Sequence, residues 1–505
     1  HRHSAAAAAM EATTLGPSCA RGSVVGCSTW RNPSRASDAH PSIHSCAAVL
    51  GPIQGRQPRA RKPSSPFVSG GKKWLASLST VVLANNETIF EPAQGLGEGG
   101  SPAEILNDGP VLKDNGAPNV ASTDGQKRVM CLMSDTGGGH RASAQALKDG
   151  FEVLYGDKYD INVVDLWSTS SPWPLCNMPK SYFFLVKYPS LWRMSFRMSE
   201  PVLFHEAIFT GYTAIVGRRF AQAFQEYKPH LIVSVHPLMQ HVPLKVLARM
   251  KAQPSFCAPE VPFTTVVTDL TRCHRTWFHK QVDKCFVATQ LVAAQAMECG
   301  LTAKQLSCHG LPIRPAFNLP PRPKADVRRQ LGLKVTAATV MVIGGGDGMG
   351  KLEAIAEALS RTLPTSAQIV VICGRNEKLA RSLASKSWPL KVVVKGFVSN
   401  MNEFMSACDC IITKAGPGTI AEALICGTPI LLNGYIPCQE EGNVSFVLEN
   451  GVGAYDEDPA QMAQIVAKWF SPGSKELEAM AVKAKLLGRP EATFNIVREL
   501  AGMAP

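Results

Sequence analysis

The 505-residue chain has no uncharged apolar run of the roughly 18 residues that a membrane-spanning helix needs. No helix of its own is expected to cross a bilayer. It also has no CxxC pair, since its 15 cysteines are scattered and odd in number. That excludes a disulfide scaffold and predicts free, buried thiols in a reducing compartment. Cys273, His274, His279 and Cys285 form a cluster with some metal character, but their spacing fits no usual zinc pattern, so no metal is expected there. Acidic residues are nearly missing from residues 1–85, where Glu11 and Asp38 stand against ten Arg and Lys. Most of the +12 formal charge sits in that segment. The remainder is only mildly basic, and nucleic acid is not expected as a partner.

The first 85 residues are rich in Ala, Ser, Arg and Pro and lack the continuous apolar stretch of a secretory signal. An organellar transit peptide fits this composition, with a plain disordered tail as the alternative. Residues 86–126, rich in Gly, Pro and Asn, read as a linker. From Lys127 a rhythm of strand, loop and helix sets in, through RVMCLMS, YDINVVDLW, HLIVSVH, PFTTVVTDL and KCFVATQ. A second series follows in TVMVIGG, QIVVICG, LKVVVKGF, CDCIITKAG and TPILLNGY. Continuous apolar runs alternating with helical stretches predict an α/β protein with parallel sheets buried on both faces. The expected organisation is an N-terminal domain over 127–318, a proline-rich interdomain linker over 319–337, a second domain over 338–472, and terminal helices over 473–505. Two doubly wound domains facing each other across a cleft is the simplest architecture.

Ligands of open parallel sheets sit beyond the carboxyl ends of the strands, and each glycine-rich loop falls at such an end. In LMSDTGGGHRASAQAL, Gly137, Gly138 and Gly139 separate Asp135 from His140 at the start of a helix. In IGGGDGMGKLEA, Gly345 to Lys351 match a phosphate-binding loop in glycine and lysine spacing. Leu352 stands where Ser or Thr would hold magnesium, so an ATPase loses its metal ligand, while a backbone anion pocket at Gly345 and Gly346 remains open. In IITKAGPGTIAEAL, Lys414, Gly416, Gly418 and Thr419 lead into a helix carrying Glu422. A diphosphate fits such a helix start without a metal, and Glu422 suits a pair of sugar hydroxyls. NGYIPCQEEGN places Gln439, Glu440 and Asn443 at another helix entry, a donor and acceptor set suited to a sugar ring.

Together with SVHPLMQHVPL, TDLTRCHRTWFHK, GLPIRP and CGRN, these ordered motifs resemble the plant monogalactosyldiacylglycerol synthases, within the wider group of inverting glycosyltransferases that includes MurG. The resemblance runs from about residue 127 to the C-terminus. It implies a GT-B fold, with an acceptor domain first, a nucleotide-sugar domain second and a last helix crossing back. It further implies UDP-galactose as donor, diacylglycerol as acceptor, a plastid envelope location, no obligatory metal or cofactor, and anionic lipid as a surface and activator. A homodimer is left open. Transfer needs a base for the acceptor hydroxyl and positive potential for departing UDP. His140 is expected as the base or acceptor-orienting group, with Gly138 and Gly139 stabilising diphosphate. Asp135 and Asp269 are competing bases or partners that set the histidine tautomer. By the same resemblance Glu422 binds ribose, Gln439, Glu440 and Asn443 hold galactose and the adjacent phosphate, and Phe397 lies at the uracil pocket. The alternatives are a UDP-glucose or UDP-N-acetylglucosamine transferase, or a nucleotide- or lipid-binding protein that has lost catalysis.

Aromatic and basic residues interleave in TSSPWPLCNMPKSYFFLVKYPSLWRMSFRMSE, where Trp173, Phe183 and Trp192 alternate with Lys180, Lys187, Arg193 and Arg197. Such a segment suits the interface of an anionic bilayer, and a helix packed in the core is the alternative. Trp277 is expected as a second lipid contact.

Overall fold

The computed structural model describes residues 125–252, 261–346, 348 and 350–505. The expected transit peptide and all of the expected linker but its last two residues lie outside these. The described chain forms two six-stranded, fully parallel sheets. The first comprises β1 (Lys127–Leu132), β2 (Tyr159–Val164), β3 (Leu231–Ser234), β4 (Phe263–Val266), β5 (Lys284–Val287) and β6 (Leu306–Cys308), in the order β2-β1-β3-β4-β5-β6. The second comprises β7 (Thr339–Ile343), β8 (Gln368–Ile372), β9 (Lys391–Lys395), β10 (Cys410–Thr413), β11 (Ile430–Leu432) and β12 (Gly453–Tyr455), in the order β12-β11-β10-β7-β8-β9. Strands β3, β7, β8 and β10 are buried at every residue, which is why their sequences run apolar without alternation. The described cysteines are all unpaired, and burial pushes the Cys131 and Cys285 thiols up to about 12.

Strand order fixes where ligands belong. Sheet order reverses between β1 and β3 in the first lobe and between β7 and β10 in the second, and crevices open at such switch points. The loops leaving these four strands are SDTGGGH, VHPLM, GGGDG and KAGPG. The glycine loops are therefore neighbours of the two crevices. Helices α1 (Gly138–Tyr155), α2 (Met178–Lys187), α3 (Pro189–Ser199), α4 (Val202–Tyr227) and α5 (His241–Lys251) belong to the first lobe; α6 (Pro417–Cys426) and α7 (Glu441–Glu449) belong to the second.

The terminal helices α8 (Glu476–Leu487) and α9 (Ala492–Met503) tie the lobes together. Ala484 of α8 is buried in the second lobe's core with Leu424. The chain then turns at Gly488, where a side chain would strike the Leu424 carbonyl at 2.9 Å. Ile496, Val497 and Leu500 of α9 join Val129, Leu147 and Phe151 in the first lobe's core. Thr493 bonds both backbone groups of Ile313, and Glu499 meets His309 at 2.5 Å.

One boundary differs from expectation. Residues 319–337, read as a linker from their prolines, contain a helix over Lys324–Gln330 that packs into the second lobe. Val327 and Leu333 are core residues there, and buried Arg328 bonds Asp409 and the Ala407 carbonyl. The short amphipathic run KADVRRQL outweighs the preceding prolines once a core is available to cover it.

Helix α9 approaches α1 closely because Gly150 has no side chain: a Cβ there would lie 2.9 Å from Thr493 Cγ2 and 3.1 Å from Val497 Cγ2. Gly150→Val should overpack this junction and cost about 1–3 kcal/mol. Urea unfolding checks it, and an unshifted midpoint contradicts the close packing.

Candidate active site

Helix α1 starts directly behind the glycine loop, with Gly137 as its cap at φ 119°, no side-chain cap and no acidic residue in its first turn. Its first N–H groups thus take no side-chain cap, and the positive end of the helix meets no acid in its own first turn. His140 is the third residue of this helix. Its Nδ1 lies 3.0 Å from the Val235 carbonyl and 3.1 Å from Thr268 Oγ1. A carbonyl only accepts, so Nδ1 carries the proton and Nε2 keeps a lone pair. His236 lies edge-on to this ring at 4.5 Å, and Trp277 lies 5.9 Å away. His236 is committed elsewhere: its Nδ1 accepts from the Leu238 N–H at 3.2 Å, so its Nε2–H donates to Thr136 Oγ1 at 2.9 Å. Burial, against the Val235 bond, holds His140 down to about 4, and burial with the neighbouring His140 holds His236 well below its ordinary value. Both rings are neutral at physiological pH.

The two expected carboxylates part company. Asp135 is exposed and ion-paired with Arg141 at 3.1 Å, so Val235 and Thr268 set the histidine tautomer and Asp135 does not. Being five residues before His140 brought it no closer, because α1 turns the imidazole inward while Asp135 stays outside. Asp269 is buried and accepts from Trp277 Nε1 at 2.8 Å. Burial, opposed by the Trp277 bond and reinforced by nearby Glu440, pushes Asp269 up to about 7. Trp277 is 1% exposed, which corrects its expected lipid contact. Its indole fills the space between Asp269 and His140 and satisfies its N–H there.

Across the cleft, the glycine loops of the two lobes nearly touch: a Cβ on Gly138 would lie 3.9 Å from Gly346 Cα. Gly345, at φ 68°, and Gly346 lie in a loop pressed against the CGRN turn, where Gly374 at φ 56° leaves no room for a side chain. Lys414 pairs with Glu440, whose second oxygen accepts from the Ile436 N–H at 3.0 Å. Gly416 permits this, since a Cβ would sit 3.2 Å from Lys414 Nζ. Gly418 and Thr419 occupy the first turn of α6, which lacks a side-chain cap and first-turn acids. Glu422, one turn further, accepts from Arg314 at 2.9 Å; burial pushes its carboxyl up against that guanidinium. Phe397 is 61% exposed, with the Arg375 guanidinium 5.9 Å over its ring.

Asn443 is not at an open sugar site. It is buried, its Oδ1 accepting from Thr271 Oγ1 of the other lobe at 3.0 Å and its Nδ2 donating to the Ala415 carbonyl at 2.9 Å. Gln439 accepts from the Tyr182 hydroxyl at 3.1 Å. Sequence reasoning missed Arg314, Thr271, Val235 and Thr268. GLPIRP singles out the stretch around Arg314, but no spacing rule reveals its partner.

The aromatic and basic segment forms α2 and α3, exposing Trp173 (58%), Phe183, Phe184 and Tyr188 together with Lys180, Lys187, Arg193 and Arg197. Leu203 and Phe204 at the start of α4 are exposed as well. Trp192 departs from it: its Nε1 donates to the Pro437 carbonyl of the other lobe at 2.9 Å. Among the described residues no helix is long and apolar enough to cross a membrane. His205, Glu206 and His241 bring potential metal-ligating atoms within 4.8 Å of one another, although Lys245 already engages Glu206 at 2.7 Å. Cys273, His274, His279 and Cys285 form no such group among the described residues.

A family model described as monogalactosyldiacylglycerol (MGDG) synthase matches residues 140–313, and one for the glycosyltransferase family 28 C-terminal domain matches residues 339–485. Monogalactosyldiacylglycerol synthase 1, chloroplastic, of Arabidopsis thaliana is 46% identical over 433 residues, covering 84% of this chain and 78% of that protein. The monogalactosyldiacylglycerol synthase of Spinacia oleracea is 47% identical over 414 residues, covering 80% of this chain and 78% of that one. The chain belongs to the monogalactosyldiacylglycerol synthase family. It is a glycosyltransferase, and its two doubly wound lobes are the GT-B arrangement. Among solved structures, MurG of Acinetobacter baumannii is similar at 16% identity and a TM-score of 0.47, over 74% of this chain and 99% of that one.

Within this family site, Asp269 is neutral below about pH 7 and charged above it. An ionised carboxylate, and not a carboxylic acid, can take a proton or stabilise a neighbouring cation. kcat/KM should therefore rise as pH rises through about 7, and Asp269→Asn should remove that inflection. A pH–rate profile identical to that of the unaltered enzyme would rule Asp269 out of the reaction.

Proposed function

We propose that the chain transfers galactose from UDP-galactose to 1,2-diacylglycerol in a single inverting displacement, forming β-galactosyl diacylglycerol. The observation that carries this reading is the His140 imidazole, neutral and with Nε2 unprotonated, at a helix start that meets the donor lobe's glycine loop. Nε2 takes the proton from the acceptor's free hydroxyl as that oxygen attacks the anomeric carbon. The bond to phosphate breaks on the opposite face, and UDP leaves with the electron pair. A value of about 4 describes the ring without substrate; a diphosphate nearby favours the imidazolium and raises the proton affinity as the reaction needs it. The amide groups of Gly138 and Gly139 and the start of α6 receive the developing phosphate charge. Two helix termini supply that potential, so we propose transfer without an obligatory metal.

On the donor side, Glu422 has one oxygen on Arg314 and offers the other to the ribose hydroxyls. Phe397 stacks on uracil. Gln439 and Glu440 take the galactose, Glu440 on release from Lys414. The exposed aromatic and basic face of α2, α3 and the start of α4 rests on an anionic bilayer and brings the lipid acceptor to the cleft. The relatives are named chloroplastic, and we place this chain peripherally on the plastid envelope.

Purified protein given vesicles containing diacylglycerol, with labelled UDP-galactose, UDP-glucose or UDP-N-acetylglucosamine in turn, should form galactolipid alone. Galactose transfer no faster than glucose transfer would overturn the donor assignment. His140→Ala should lose about 10²- to 10⁴-fold in kcat while still binding UDP. Near-normal turnover would remove His140 as the base.

A further inference from the structure

Helices α2 and α3 have two working faces. Outward lie Phe183, Phe184, Tyr188, Met194 and Met198 with the basic residues between them. Inward lie Tyr182 and Trp192, whose rings meet edge-on at 5.3 Å and 89°. Each sends its one polar hydrogen across the cleft: Tyr182 to Gln439 Oε1 at 3.1 Å, and Trp192 to the Pro437 carbonyl at 2.9 Å. The two bonds land on either side of Cys438. That residue is held at φ 64°, in the left-handed region that is unfavourable for a non-glycine residue. Such a turn persists when its surroundings over-determine it, and here two of the bonds that surround it come from the other lobe. Glu440, which follows Gln439, pairs with Lys414 and closes the turn on the Ile436 N–H.

We infer that Tyr182 and Trp192 are positioning residues: from the back of the lipid-facing helix pair they set the Pro437–Gln439 turn of the donor site, so that seating on an anionic lipid surface and binding of the nucleotide sugar strengthen each other. This rests on the assignment of Gln439 and Glu440 to the donor and of α2 and α3 to the bilayer. The bonds form between lobes, so they depend on how the two lobes are seated on each other. Whatever orders α2 and α3 lowers the cost of ordering the turn, and whatever orders the turn holds the helices in their docked arrangement. Reciprocity follows from linkage.

The test uses the full chain as Tyr182→Phe, Trp192→Phe and the double variant. Each keeps an aromatic ring and removes the donated hydrogen; Trp192→Phe also trims the indole to a phenyl, and the melting curve reads any loss of packing that follows. UDP affinity is measured by titration calorimetry with and without vesicles of phosphatidylcholine and phosphatidylserine in equal parts, alongside vesicle co-sedimentation and a melting curve. Vesicles should tighten UDP binding to the unaltered chain by at least about threefold, the scale of one or two hydrogen bonds. In the double variant this gain should vanish while co-sedimentation and melting hold, and KM for UDP-galactose should rise more than kcat falls. An equal vesicle effect in the double variant and the unaltered chain overturns the coupling alone. Failure of the unaltered chain to bind UDP or the vesicles overturns the functional assignment and the coupling with it.

Discussion

The site depends on one hydrogen bond, from His140 Nδ1 to the carbonyl of Val235. That carbonyl follows β3, the strand that neighbours β1 at the first lobe's switch point. The fold therefore sets the tautomer, and the tautomer leaves Nε2 as the basic atom. Around it the other polar groups are already committed: His236 to Leu238 and Thr136, and Asp269 to Trp277. A half-buried, neutral imidazole with one defined lone pair is what remains.

Placing that atom against a donor requires the second lobe, and several contacts hold the lobes together without any ligand. Helix α9 is built into the first lobe's core although α8, just before it, belongs to the second. Thr271 bonds Asn443 where Gly442 leaves no room for a side chain, and Gly138 approaches Gly346. Small residues at these points let backbones approach, and the approach brings two uncapped helix starts to one crevice. Arg314 contributes from the connection between the lobes, orienting Glu422 while also reaching the Ser399 carbonyl.

Much of this was legible in the chain. Strands buried on both faces write themselves as apolar runs, and glycine loops at their ends mark the crevices, so both sheets and the position of His140 could be read directly. What was not legible was the direction in which single side chains point. Trp277 and Trp192 look alike among basic neighbours, yet one is sealed beside Asp269 and the other reaches into the opposite lobe. Asp135 is near His140 in sequence and spends its charge on Arg141. Asn443 reads as a sugar ligand and is a brace between lobes. In each case the partner is set by how the chain folds rather than by a fixed sequence spacing, and local spacing carries no information about it. The proline-rich run before β7 misled for the same reason, since the core that covers Val327 is assembled from the rest of the lobe.

The most direct measurement is nitrogen NMR of histidine-labelled protein, with His140 assigned by comparison with His140→Gln. The ring should appear as the neutral form protonated on Nδ1 at pH 7, titrating at about 4, and its pKa should rise when UDP is added. A ring protonated on Nε2, or a titration that UDP leaves in place, would contradict the account.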